Sequence, residues 1–197
     1  MGNKSRVRLK IALLRSNMNI RVFVYGTLKK GQPNYHVFSE TTGSYKFVNS
    51  GRTIHRFPLM ITSKFNIPVM LAKNGEGHRI NGEVYEVDEE KLAILDELEA
   101  YPQLYDRRLE KLIDGSIIEA WIYMLREWRD DIYSVSTPLM DSYCSKGDHG
   151  RAYVDRYARA IQMISDERLD LYGEIQGESN QATRLMTIQK AENDLNL

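Results

Sequence analysis

Across 197 residues the chain has 42% apolar and 27% charged residues and a formal net charge of zero. That length supports one domain with a sizeable core, and the neutral overall balance gives no sign of the basic face that nucleic-acid binding needs. No apolar run approaches the roughly 20 residues of a membrane-spanning helix, and a single cysteine, Cys144, excludes an intramolecular disulfide, so a reducing, cytoplasmic setting with neither nucleic-acid nor membrane partners is expected.

Residues 1–39 carry eight Lys or Arg and no acid, the first being Glu40. The opening stretch is no secretory signal, because Ile11-Ala12-Leu13-Leu14 is too short for an apolar signal core. Arg6 stands where a myristoylation signal needs Ser or Thr, whereas the Arg-bearing, acid-free character is compatible with a mitochondrial presequence. A disordered or leader segment over residues 1–18 is expected, followed by one domain over 19–156.

Arg21–Tyr25 predicts a strand that runs into the loop of "VFVYGTLKKGQPN" (22–34), with a short helix from about Tyr35. Tyr45–Asn49, Pro58–Thr62 and Pro68–Ala72 predict short strands, and "KNGEG" (73–77) a turn. Arg79–Val87 alternates as a strand. A helix is expected from Asp88, its N-cap, with Glu89 and Glu90 at the positive end of the dipole and Pro102 stopping it. Tyr105–Leu112 and Ile117–Leu125 close the strand set. Apolar residues at helical spacing, among them Ile161, Ile164, Leu171 and Ile175, predict a helical C-terminal extension over 157–197. Short strands with a few helices, outside regular βαβ alternation, indicate an α+β fold.

Two features carry chemistry. The strand-to-Gly26 loop can leave successive main-chain N–H groups open to a carboxylate or oxyanion; the spacing of a phosphate loop is absent. The helix from Asp88 turns Leu95 and Leu98 to one face with Leu92 on its flank, and Glu99 falls on that face. Glu90 and Glu97 fall opposite, with Glu89 and Asp96 at the edge. An inward carboxylate serves either as a general acid or base, or as a structural acid satisfied by Tyr101, Tyr105, Arg107 or Arg108. The histidines His36, His55, His78 and His149 show no metal-ligand spacing, and no metal or cofactor is expected. Cys144 with His149 suggests a thiol nucleophile only weakly, since sequence proximity proves no contact. Trp121, Trp128 and Tyr123 are expected in or at the rim of the core.

The segments "VFVYGTLKKGQPN", "PLMI" (58–61), "NIPVML" (66–71), "GEVYEVD" (82–88), "LDELEAYPQLYDRR" (95–108) and "DSYCSKGDHG" (141–150), in this order, resemble gamma-glutamylamine cyclotransferases of the gamma-glutamylcyclotransferase-like family. The resemblance implies a small mixed β-barrel flanked by helices. It implies an enzyme that cyclises L-gamma-glutamyl amides, such as the gamma-glutamyl-ε-lysine of a crosslinked isopeptide, to 5-oxoproline with release of the amine. It assigns substrate binding to Tyr25, Gly26, Thr27 and Leu28, and proton transfer to Glu99. The pattern departs at Cys144, Lys146 and Asp148, where the family carries an acid, an acid and a proline, and the departures bear on leaving-group preference. A non-catalytic module binding a small ligand, or a protein through its C-terminal extension, is the alternative on the same fold.

Overall fold

The computed structural model describes residues 20–113, 115–155, 158–159 and 171–177. The leader expected over residues 1–18 lies outside them, as does most of the expected C-terminal extension. In chain order the elements are β1 (Ile20–Val24), α1 (His36–Glu40), β2 (Tyr45–Thr53), β3 (Leu59–Thr62), β4 (Ile67–Met70), β5 (Asn81–Val87), α2 (Glu89–Leu98), β6 (Tyr105–Ile113), β7 (Ile117–Leu125), α3 (Ile132–Val135) and α4 (Leu171–Gln176).

Five strands close into a barrel in the order β1-β5-β2-β6-β7, and β3 and β4 form a separate antiparallel pair. The barrel is mixed: β1 runs antiparallel to β5, from Ile20 opposite Val87 to Val24 opposite Glu83, and meets β7 in parallel at Val22 and Trp121. Successive side chains on a strand point to opposite faces. Accordingly Val22, Val24, Tyr85, Val87, Tyr123 and Leu125 join one core cluster, with Val37 and Phe38 of α1 and Leu95 of α2. Their neighbours Phe23, Val84, Ile122 and Met124 join a second cluster built of strand and loop residues. Trp121 and Trp128 pack partly buried against the first cluster.

Strand β2 extends past the expected end at Asn49 because a bulge between Phe47 and Asn49 shifts the register and pairing resumes as far as Arg52 opposite Asn81. Within this stretch Gly51 faces Gly82. A Cβ on Gly82 would stand 2.5 Å from both the Phe23 ring and the Val24 carbonyl oxygen, so only glycine lets β5 approach β1 this closely.

Asp88 caps α2: its side chain accepts from the Lys91 N–H (2.8 Å) and from the Ser44 N–H (2.7 Å). The helix ends at Leu98, before the stop expected from Pro102. Ala100 has φ of 49°, a left-handed conformation that a helix cannot propagate through. The N–H of Glu99 still bonds to the Leu95 carbonyl (3.0 Å), so Glu99 occupies the C-cap with the helical spacing to Leu95 preserved.

Candidate active site

The loop after β1 is held by its own motif residues. The Asn34 N–H donates to the Thr27 carbonyl and the Asn34 Nδ2 donates to Thr27 Oγ1, each at 2.9 Å, closing residues 27–34 on themselves. Lys29 reaches the late segment, its Nζ donating to the Tyr143 carbonyl at 2.6 Å. Burial lowers the Lys29 pKa, with the Glu83 carboxylate opposing that shift. Gln32 accepts from the Ser145 N–H (2.7 Å), and the Lys30 N–H donates to Glu83 (2.8 Å). A Cβ on Gly26 would stand 3.2 Å from Pro68 Cγ, so the loop lies tight against β4. Among the described residues, the N–H groups of Gly26, Thr27 and Leu28 have no acceptor. Successive open donors in one bend are what an anion-binding concavity requires.

This loop and the end of α2 meet at one cavity of about 440 Å³. Tyr25, Gly26, Thr27, Leu28 and Glu99 all line it, and Phe65, Ile67, Pro68, Leu98 and Leu104 give it an apolar wall. Glu99 is half-buried there. Tyr25, Tyr105 and Tyr123 line the cavity with it. Burial raises all three pKa values; the nearby Tyr105 and Glu99 add to the shift at Tyr25, and the Glu99 charge adds to it at Tyr105. At Tyr123 the hydrogen bond to Asp96 adds more than the Glu99 charge does. These phenols are therefore neutral at physiological pH. Tyr25 donates to the Tyr123 carbonyl (2.9 Å), which holds its side chain in place.

The arginine-satisfied acid of this helix is Asp96. Both of its oxygens accept from Arg107 Nη1 at 2.9 Å, and Oδ1 also accepts from the Tyr123 hydroxyl at 2.6 Å. Arg107 and Tyr123 are cross-strand partners on β6 and β7, a register that the helical wheel of α2 alone does not reveal. Also unforeseen is a third wall from the C-terminal part of the chain, made by Tyr153, Arg159, Leu171 and Tyr172. The Tyr153 hydroxyl donates to Asn34 Oδ1 (3.2 Å) and accepts from Arg159 Nη2 (3.4 Å). The helical spacing of Leu171 and Ile175 was the one signal for that wall.

The Cys144–His149 pair does not form a nucleophilic dyad. The His149 ring contacts the Cys144 carbonyl oxygen (2.7 Å) and accepts from the Arg151 N–H (3.1 Å), building a turn at Gly150. Cys144 itself is exposed. Among the described residues, no three His, Cys, Asp or Glu side chains form a cluster able to hold a metal ion.

The family described as "Gamma-glutamyl cyclotransferase, AIG2-like" matches residues 22–143. Gamma-glutamylaminecyclotransferase B of Danio rerio is 35% identical over 184 residues, covering 89% of this chain and 95% of that protein. Gamma-glutamylaminecyclotransferase of Bos taurus is 42% identical over 142 residues, covering 70% of this chain and 83% of that protein. The crystal structure of an AIG2-like protein from Mus musculus superposes with a TM-score of 0.66 at 36% identity, covering 70% of this chain and 96% of that one.

Proposed function

Because the chain belongs to the AIG2-like gamma-glutamyl cyclotransferase family, we propose that it cyclises L-gamma-glutamyl amides, with gamma-glutamyl-ε-lysine as the representative substrate, to 5-oxoproline and a free amine. The observation that carries this reading is the shared cavity: Glu99 and the Tyr25–Leu28 loop line the same hollow of about 440 Å³. The naming of two relatives as gamma-glutamylaminecyclotransferases supports an amine as leaving group.

The nucleophile is the substrate's own α-amine, so the reaction requires no enzyme serine or thiol. Glu99 takes a proton from the α-ammonium group, and the freed nitrogen attacks the γ-carbonyl carbon to form the C–N bond of the five-membered ring. The tetrahedral intermediate collapses with cleavage of the bond to the departing nitrogen, to which Glu99 returns the proton; the second proton of the ring nitrogen passes to solvent as the lactam forms and ends on the released amine, which leaves as an ammonium ion. The N–H groups of Gly26, Thr27 and Leu28 bind a substrate oxygen and hold the glutamyl chain folded for attack. Preorganisation of this kind is worth several kcal/mol. The buried, neutral Tyr25, Tyr105 and Tyr123 keep the surroundings polar without adding a competing base.

Incubation with gamma-glutamyl-ε-lysine, followed by chromatography of the products, tests the reading. The wild-type chain is expected to release equal amounts of 5-oxoproline and lysine. Glu99→Gln is expected to fold and bind substrate normally while turnover falls by about 100-fold or more. Wild-type turnover by that variant would remove Glu99 from the reaction. Substrate binding without product from the wild-type chain would instead establish a non-catalytic binding module.

A further inference from the structure

The cavity contains a guanidinium that the proposed mechanism leaves unused. Arg159 lies beyond residues 22–143, the part of the chain matched by the family, yet it lines the same hollow as Glu99 and the Gly26 loop. It is held in place twice. Its Nη2 donates to the Tyr153 hydroxyl (3.4 Å), with the guanidinium 5.6 Å from the centre of that ring, and its N–H donates to the Asp155 carbonyl (2.9 Å). Tyr153 is tied in turn through Asn34 to Thr27, so a chain of three hydrogen bonds links the guanidinium to the substrate loop. Among the described residues, no carboxylate pairs with Arg159. Its positive charge is felt at the buried Tyr105 hydroxyl, where it opposes the Glu99 charge.

A cation half-buried in an apolar hollow, aimed by a tyrosine and without an acidic partner among the described residues, is suited to an anion that arrives with a ligand. The open N–H groups of the loop supply one anion site, and the guanidinium supplies another. We propose that Arg159 binds a carboxylate of the substrate, so that the chain beyond the family-matched region completes the binding site. The identity of the ligand rests on the gamma-glutamyl reading above. Two carboxylates fit: that of the glutamyl half, common to every substrate, and that of an amino acid serving as the departing amine.

Steady-state kinetics of the full chain and of Arg159→Gln, on gamma-glutamyl-ε-lysine and on gamma-glutamyl-n-butylamide, distinguish them. A charge-assisted contact of this class predicts a KM about 10- to 100-fold higher in the variant, with kcat little changed. A rise on both substrates assigns Arg159 to the glutamyl carboxylate. A rise confined to the lysine compound assigns it to the departing amino acid, because the butylamide lacks that group. Unchanged KM on both overturns the proposal, as does a displaced pH profile of kcat at constant KM, which would make Arg159 a tuner of Glu99. If the wild-type chain releases no 5-oxoproline, the reaction reading fails by itself. Calorimetric titration with glutarate then still tests the guanidinium: about tenfold weaker binding to Arg159→Gln supports it, and equal binding overturns it.

Discussion

Lys91 has no exposed surface, yet four acceptors surround its ammonium group. Its Nζ donates to the carbonyls of Val37, Phe38 and Thr41 and to Thr41 Oγ1, so a lysine of α2 satisfies the open end of α1. Lys91→Met keeps the volume and orphans those carbonyls; a loss of about 1–3 kcal/mol is expected in urea unfolding. Burial lowers the Lys91 pKa from its ordinary 10.5, with Asp88 and Glu90 opposing. The unfolded chain therefore binds that proton more tightly, and stability rises with pH between the lowered folded value and 10.5. The variant is expected to lose this alkaline slope. None of this was visible in the sequence, where Lys91 is one more charge on a charged helix. Glu99 was visible, because its spacing from Leu95 is set by the helix itself. Asp96, at the edge of the same wheel, owes its partners to a strand register that only folding supplies.

At the level of elements, α2 delivers Glu99 to the cavity, and the start of α2 depends on Asp88. Burial pushes the Asp88 pKa up, but the N–H donors of Lys91 and Ser44 outweigh it and hold the carboxyl below its ordinary value of 3.8. The cap charge thus stabilises the fold above that value and is lost as the pH falls below it through the depressed folded value. Asp88→Ala is expected to lose about 1 kcal/mol at neutral pH, and thermal unfolding followed from neutral to acid should show the difference from wild type shrink at the acid end. The start of this helix was legible because capping chemistry is local. Its end was not, because Ala100 adopts a left-handed conformation that its residue type does not announce. The four residues of α3, anchored by the buried Ile132, are too few to show any periodicity. Strand β2 read short because Asn49, Ser50 and Gly51 resemble a turn, although they continue the ladder beyond a bulge.

Across the whole molecule, the cavity is assembled from three distant parts of the chain: the loop after β1, the end of α2, and Tyr153, Arg159, Leu171 and Tyr172. The last two belong to α4, which is anchored on the rest of the fold. Ile175 is fully buried and its carbonyl accepts from the Arg129 N–H (3.0 Å), Gln176 donates to the Gln103 carbonyl (3.3 Å), and Glu174 pairs with Lys64 at 3.3 Å. Ile175→Ala removes the apolar anchor. A buried isoleucine truncated to alanine is worth about 2–5 kcal/mol, here concentrated on α4. Hydrogen exchange at residues 171–176 is expected to accelerate while β1 and β5 keep wild-type protection; uniform acceleration through the barrel would show instead that α4 belongs to the global folding unit. The barrel and its loop were legible from alternation and from one family's motifs. The third wall was not, because a helical period shows that a segment buries a face without showing against what.

The origin of that wall bears on synthesis. Domains generally fold as units, the N-terminal part of the chain first, as synthesis proceeds. Barrel strand β7 ends at Leu125, whereas the outer wall of the hollow is drawn from Tyr153, Arg159, Leu171 and Tyr172. A nascent polypeptide can therefore close its barrel and present Glu99 beside the Gly26 bend while that side still faces water. Only when translation has passed Gln176 is that third wall complete, so a product of premature termination before that point would lack part of the hollow's lining.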